Sequence, residues 1–510
     1  MNEREIKRWS RNQWIAALLM VGSVRLAILW FSPDRLDLDP DNYRRLGRIW
    51  SETGTFGELL PPSSQRSATD AADSEDGTSP TTSPSASPGN LPAEQQVASS
   101  ADRATEVLAR EVRGEIQGVR PTAYRPPLYP AVLAGLDRFG WLNRTGIATV
   151  NWLAGVGSVL LLAWLANRLH GGRTAWLATA LLTFDPLSAL YSTQAMTETV
   201  ATFWVMAATV LVLKAHQRSQ WGWAIAAGIT LGLGSLTRPP ILVWAAGLLA
   251  WEVGYWLAAR HGWRRRPVPS EPRSSEAENR DLTWNGEEIS PVEACRTDRL
   301  AVRLVGISLG LVLVIAPWGL RNLWLLGEFR VTTTHGGYTL FLANNSSFYH
   351  SLRTAADPRD WEASAPDFQA QLRAAYPDRV EQGSDELVRD RAWSQAAWAS
   401  IRSDWPGFAR GIGTRLSWFW ALSPNLEDNG RGRAVTLAVA FYYGAVFSLV
   451  CFSLWTVRRW GYAWRALGIL VLVLTALHSL YWSNPRMRTP ISPWLCWTAA
   501  ACLSLTGRRD

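Results

Sequence analysis

The sequence predicts an all-α polytopic membrane protein with about ten or more transmembrane helices and two large loops on one face of the bilayer. Three observations carry this. Mostly apolar stretches of about 17 to 25 residues, long enough to cross a hydrocarbon core, recur along the chain; Leu304–Leu320, Trp14–Phe31, Ile147–Leu169 and Val435–Val457 are the clearest. Arginines and lysines punctuate the ends of these runs, as they do beside cytoplasmic loops. The 510 residues also include 30 tryptophans. Many stand near predicted span ends (Trp14, Trp221, Trp263, Trp318, Trp460, Trp482), where an apolar ring body meets a wet N–H at the headgroup level.

In chain order, residues 1–31 form a cytoplasmic N-terminus and a first span. That run is long, lacks a small-residue cleavage site and follows Arg4, Lys7, Arg8 and Arg11, so it reads as a retained span rather than a removed signal. Residues 32–145 form the first outer loop, with an insertion at Pro61–Ala101 of Ser, Thr, Ala, Pro, Asp and Glu. So little apolar surface cannot offset its ordering entropy, and disorder is expected. Residues 146–259 form a transmembrane bundle whose Arg168, Arg173, Lys214 and Arg218 fall on the cytoplasmic side. A polar cytoplasmic loop (260–299), a span (300–324), a second outer loop (325–433) with helical pattern at Asp385–Arg402, and the C-terminal spans (434–510) follow. Both termini are then cytoplasmic. Leu128–Trp141 and Leu416–Leu422 are short apolar pieces that would add to the count if they crossed.

The formal net charge of +8 is accounted for by arginines at span ends, so nucleic acid is not an expected partner; membrane lipids are. Cys295, Cys451, Cys496 and Cys502 lack metal-ligand spacing, and the last three read as core residues. No resident metal is indicated, a divalent ion being compatible with the sequence but not called for.

Arg125, Arg238, Arg321, Arg486 and Arg488 run against the charge bias, since all fall on the outer side. Arg25 lies inside the first span, facing the bundle interior or reaching outward. Asp37, Asp39 and Asp41 follow that span, and Asp41-Asn42-Tyr43 leads into a short amphipathic helix through Leu46, Ile49 and Trp50. In Tyr124-Arg125-Pro126-Pro127-Leu128-Tyr129-Pro130, two prolines fix an extended entry and start a helix, holding a cation near the membrane surface. Such a cation suits a lipid phosphate, and equally an ordinary headgroup. Glu198 stands at the outer edge of a span, Pro186 a short way before it.

These elements, in this order, resemble the glycosyltransferase C superfamily of membrane enzymes. The branch nearest in motif is that of the family 39 dolichyl-phosphate-mannose-protein mannosyltransferases and the aminoarabinose transferases. The elements are the acidic segment after span one, Arg125-Pro126-Pro127, Leu236-Thr237-Arg238-Pro239, Ala316-Pro317-Trp318-Gly319-Leu320-Arg321 and Asn484-Pro485-Arg486-Met487-Arg488. The resemblance implies a GT-C-like fold and transfer of a sugar, with inversion, from a polyprenyl-phosphate donor to a protein, lipid or glycan acceptor. It places the reaction on the extracytoplasmic face of a bacterial inner membrane. It assigns catalytic work to Asp41, with Asp39 second, and to Glu198. It assigns substrate binding to Tyr43, Arg125, Tyr129, Arg238, Arg321, His335, Tyr338, Asn344, Arg486 and Arg488. Met487 stands where the family usually has an aromatic, which puts stacking there in doubt.

The rival class is a transporter or polyprenyl-lipid flippase. Transporters tend to show repeated halves and polar residues at mid-span. Here the ionisable residues other than Arg25 gather at span edges.

Overall fold

The computed structural model describes residues 8–59, 118–260, 297–355, 357, 361–375, 385–423, 433–456 and 461–506. The predicted insertion at 61–101 and residues 261–296 of the polar loop lie outside them.

Helix α1 (Arg11–Trp30) starts in a reciprocal cap: the Ser10 hydroxyl accepts from the Gln13 N–H, and the Gln13 side chain from the Ser10 N–H. After a 3₁₀ turn at Pro33–Asp37 comes α2 (Tyr43–Thr53). It buries Tyr43, Leu46, Gly47 and Ile49, so the predicted amphipathic helix is present. Two short strands, β1 (Gly57–Leu59) and β2 (Val119–Pro121), pair antiparallel with Gly57 opposite Pro121. Helix α3 (Leu128–Arg138) is 11 residues, too short to cross a bilayer, and packs on α2 through Gly47.

The membrane bundle follows: α4 (Arg144–His170), α5 (Gly172–Thr183), α6 (Pro186–Ser192), α7 (Glu198–Arg218), α8 (Trp221–Thr237), α9 (Pro240–Arg260) and α10 (Thr297–Leu326). It resumes with α16 (Arg433–Thr456), α17 (Tyr462–Leu480) and α18 (Ser492–Thr506). Among the described residues, α1, α4, α7, α9, α10, α16 and α17 are long and apolar enough to cross a membrane. The shorter α5, α8 and α18, which the sequence reading also counts as crossings, contribute to the same buried core. The chain is an integral, multi-pass membrane protein.

Helices α8 and α10 touch most intimately. Gly228 and Gly232 on α8 and Gly306 and Gly310 on α10 line this contact; a Cβ on Gly228 would lie 2.1 Å from the Ile307 carbonyl oxygen, and one on Gly310 2.2 Å from that of Ile225. Small residues at four-residue spacing let backbones approach where lipid offers no hydrophobic drive to association.

The second loop forms a small helical body: α11 (Gly336–Ala343), α12 (Ser346–Thr354), α13 (Pro366–Ala374), α14 (Asp385–Ser403) and α15 (Trp405–Phe419) around Phe348, Trp361 and Phe368. The Leu416–Leu422 piece falls largely in α15 and is not a span.

Several expectations need correction. The helix that carries the predicted span at 300–324 runs from Thr297 to Leu326, so Arg321 lies within α10. Trp318 is no interfacial anchor; it is buried against Phe56. Cys451 is exposed rather than core. Of the two placements left open for Arg25, it takes the bundle interior, its Nη2 donating to the Leu182 carbonyl and the Ser188 hydroxyl, both at 2.9 Å. There it caps α5 where that helix breaks before Pro186.

At the end of the bundle near the N-terminus, Trp9 bonds Asn167 and Gly172. There Glu252 pairs with Arg303 at 2.9 Å and accepts from Tyr462, joining α9, α10 and α17. The residues singled out as catalytic gather at the opposite end.

Candidate active site

Chain geometry first separates the carboxylates. Asn42 adopts a left-handed conformation (φ +59°), which asparagine tolerates better than most residues. The turn leaves Asp39 at the N-terminus of α2, its Oδ2 accepting the Arg45 N–H at 3.1 Å. Burial raises the Asp39 pKa, against the pull of the Arg45, Arg44 and Tyr43 backbone N–H groups. Asp39 is thus placed as a helix cap, whereas Asp41 points to the arginines.

Asp41 Oδ1 lies 3.1 Å from Arg125 Nη2, and Oδ2 accepts from Arg486. Arg486, in a 3₁₀ segment at Pro485–Ile491, also donates through Nε to Glu198 Oε1. That same oxygen receives Arg238 Nη1 at 3.0 Å. Five side chains from five chain segments therefore form one alternating row: Arg125, Asp41, Arg486, Glu198, Arg238. Three guanidinium groups against two carboxylates leave one excess positive charge.

Each member has a local reason to be there. Arg125 is held by the two prolines that open α3, over the rings of Tyr124 (5.3 Å) and Tyr43 (5.8 Å). Glu198 is the first residue of α7, where the helix dipole favours an anion, and is fully buried with Oε2 unpartnered. Arg238 ends α8 in an extended conformation just before Pro239. Its Nη2 reaches the Met487 sulfur at 3.0 Å, so the residue that departs from the family pattern serves as a weak acceptor.

The charges tune one another. Burial alone would raise the Asp41 pKa, but Arg486 and Arg125 reverse this and hold it below the usual carboxylate range. Burial would lower the Arg486 pKa; Glu198 and Asp41 instead raise it. Tyr43 is pushed up to about 12, chiefly by burial and then by Asp41. It meets Tyr129 edge to face at 5.5 Å, and burial raises the Tyr129 hydroxyl too.

His335 and Tyr338 flank this row from the second loop. The His335 ring lies 4.3 Å from Tyr124 and stacks on Tyr338 at 5.3 Å. Burial, then Arg125, lower its pKa to about 3, so it is a neutral imidazole at ordinary pH, with Nδ1 unpartnered.

Three expected binding residues are not brought to the row. Arg321 donates to the Phe56 carbonyl (2.6 Å) and the Thr122 carbonyl (2.8 Å), bracing the β-ribbon against α10. Arg488 donates to the carbonyls of Phe419 (2.9 Å) and Ala421 (2.5 Å) under the Tyr443 ring. The Asn344 amide bonds the Leu340 and Leu480 carbonyls, and its oxygen accepts from Tyr349.

The sequence reading missed two groups. Asp185 caps α6 through the Ser188 N–H and accepts from Tyr443; Asp-Pro at a helix start was the available signal. Glu386 and Asp390 lie buried on α14, and nothing in an acidic, four-residue spacing separates that from a solvated helix face. Among the described residues, no three His, Cys, Asp or Glu side chains are grouped to hold a metal ion.

A model of the dolichyl-phosphate-mannose-protein mannosyltransferase family matches residues 101–263, about a third of the chain. That stretch includes Arg125, Glu198 and Arg238, and bears out the resemblance read from the motifs. No curated protein matches the chain in sequence. Among solved structures, the chain is similar to the archaeal oligosaccharyltransferase AglB from Archaeoglobus fulgidus, determined with an inhibitory peptide and a dolichol-phosphate. The identity is 12%, over 97% of this chain and 50% of that one, with a TM-score of 0.47. It is also similar to ArnT from Cupriavidus metallidurans bound to undecaprenyl phosphate, at 14% identity over 98% and 79% and a TM-score of 0.40. The chain thus spans about half the length of the archaeal enzyme.

Proposed function

We propose that this protein is a membrane glycosyltransferase that takes a sugar from a polyprenyl-phosphate donor and passes it, with inversion, to a hydroxyl or amine of a protein, lipid or glycan. The reaction takes place on the extracytoplasmic face. The observation that carries this is the alternating row from Arg125 to Arg238 at one end of the bundle. The family whose model matches 101–263 is named for a lipid-phosphate sugar donor, which agrees with it.

The chemistry needs a base for the acceptor and cations for the leaving phosphate. Asp41 removes the acceptor proton as the acceptor oxygen or nitrogen attacks the anomeric carbon. The bond from that carbon to the phosphate oxygen breaks, and its electron pair leaves with the lipid phosphate. Arg125, Arg486 and Arg238 neutralise the charge that develops there. Arginine's planar donor fork suits a phosphate.

The resting pairing adds an order of events. While Arg125 and Arg486 occupy both Asp41 oxygens, the carboxylate is a weak base. A donor phosphate competes for the same guanidinium groups. As they turn toward it, Asp41 loses the contacts that depress its pKa and becomes a better base when a donor is present. Neutral His335, with Tyr124 and Tyr338, forms an aromatic wall suited to the sugar or acceptor.

The test is a panel of radiolabelled polyprenyl-phosphate sugars given to the full chain in proteoliposomes, wild type beside Arg125→Ala. Label transfer from one donor, strongly reduced but still measurable in the variant, supports the reading. Lipid translocation without label transfer would replace it with transport.

A further inference from the structure

The row of charges is built from segments far apart in sequence, and two of its neighbours hang on one side chain that the chemistry does not use. Glu386, buried on α14, accepts the Ala123 N–H and the Thr122 hydroxyl, each at 2.8 Å, and the Thr334 hydroxyl. Thr122 and Ala123 stand just before Arg125. Thr334 stands just before His335. The two segments also bond directly, Thr334 N–H to the Ala123 carbonyl at 3.1 Å. One turn along the same helix, Asp390 accepts the Gly337 N–H at 2.6 Å and Arg330 Nη1 at 2.5 Å. The helices approach so closely that a Cβ on Gly337 would lie 2.0 Å from the Asp390 carbonyl oxygen.

We propose that Glu386 is a positioning residue: its carboxylate clamps the Arg125 segment of the first loop to the His335 turn of the second, setting where the donor-phosphate cation stands relative to the aromatic wall. This rests on the role given to Arg125 above. Among the described residues, Arg125 pairs with Asp41 at 3.1 Å and otherwise lies only over two aromatic rings, so its placement depends on the backbone that precedes it. That backbone is pinned on one side by Arg321, at the Thr122 carbonyl, and on the other by Glu386. A helix-borne carboxylate satisfying donors from two loops fixes both to the same helix at once. A displacement on the order of 1 Å at a positioning group costs roughly 100-fold in rate.

The variants are Glu386→Ala and Glu386→Gln in the full chain. The glutamine oxygen can still accept from Ala123 and Thr334 while its amide donates to Thr122, so it conserves the clamp. Backbone hydrogen exchange, which needs no substrate, should quicken in both 118–127 and 331–339 in the alanine variant and in neither in the glutamine variant. In turnover, Glu386→Ala should lower kcat/KM for the lipid donor about 10- to 100-fold, and Glu386→Gln should stay within about threefold of wild type. In an Arg125→Ala background the loss from Glu386→Ala should shrink to within about threefold, because the group being positioned is gone. Undiminished loss in that background, or unchanged exchange in either segment, overturns the proposal. A wild type that transfers no sugar from any donor would count against the transferase reading alone, and the exchange measurement would still decide the clamp.

Discussion

Replacing Asp41 with asparagine should split binding from turnover, moving the two in opposite directions. The side chain keeps its size and can still accept from Arg125 or Arg486, while the negative charge between them disappears. The row then holds three guanidinium groups and one carboxylate instead of two. A lipid phosphate seated on Arg125 and Arg486 would lie about 6 Å from Asp41. At that distance the lost repulsion is roughly 0.7 kcal/mol in water and about 3 kcal/mol at the effective dielectric of a protein surface. That converts to roughly 3- to 100-fold tighter binding of the polyprenyl phosphate. Turnover should meanwhile fall about 100- to 10,000-fold, the usual worth of a positioned base. The assay pairs equilibrium binding of polyprenyl phosphate to nanodisc-embedded protein with transfer of labelled sugar from the donor found for the wild type. Binding that weakens, or turnover within about tenfold of wild type, would refute both the competition between Asp41 and the phosphate and the assignment of Asp41 as base.

Further outcomes follow from the row and from two other sites in the bundle. Arg486→Gln removes the larger of the arginine influences that depress the Asp41 pKa, so the acid limb of kcat/KM should move to higher pH; an unmoved limb would mean another group sets it. In the wild type the stability that the arginines give Asp41 is present above its unfolded pKa near 3.9 and lost only as pH falls through the depressed folded value. Gly310→Ala should destabilise the bundle by about 1–3 kcal/mol, because its Cβ meets the Ile225 carbonyl at 2.2 Å. Gly254→Ala, with nothing within 4 Å, should leave thermal unfolding in detergent unchanged. Removing Glu252 alone strands buried Arg303 and should cost about 3–5 kcal/mol, while Glu252→Met with Arg303→Met should cost much less; equal losses would show that packing rather than charge decides there.

Periodicity and charge placement made the bundle readable, because lipid allows only self-satisfied helices and arginines mark their ends. The amphipathic pattern of α2 and the helix at 385–403 were legible for the same kind of reason. What the sequence could not distinguish was which outer arginines meet a carboxylate. Arg238 stands beside Pro239 and Arg321 shortly after Pro317 and Trp318, and the two look alike on paper. Yet Arg238 ends its helix and turns to Glu198, while Arg321 lies inside a helix that runs on to Leu326 and spends its donors on carbonyls. The difference lies in where a helix stops, the least certain feature of any sequence reading. Glu386 was hidden for another reason: its partners are two backbone segments brought to it by tertiary folding, and no spacing records that.

The same row of charges explains how so many ionised groups stay buried near a membrane. Glu198 is wholly enclosed and Asp41 and Arg486 nearly so, and an unpaired charge in such a place carries a heavy desolvation cost. Alternation offsets it, each carboxylate lying between two guanidinium groups. Two carboxylates cannot fully answer three arginines, however, so the row is completed only by a further anion. On the proposed reading, a donor phosphate supplies that anion and at the same time draws Arg125 and Arg486 away from Asp41. On that reading, the pairing that holds the row together also keeps Asp41 a weak base until the donor arrives.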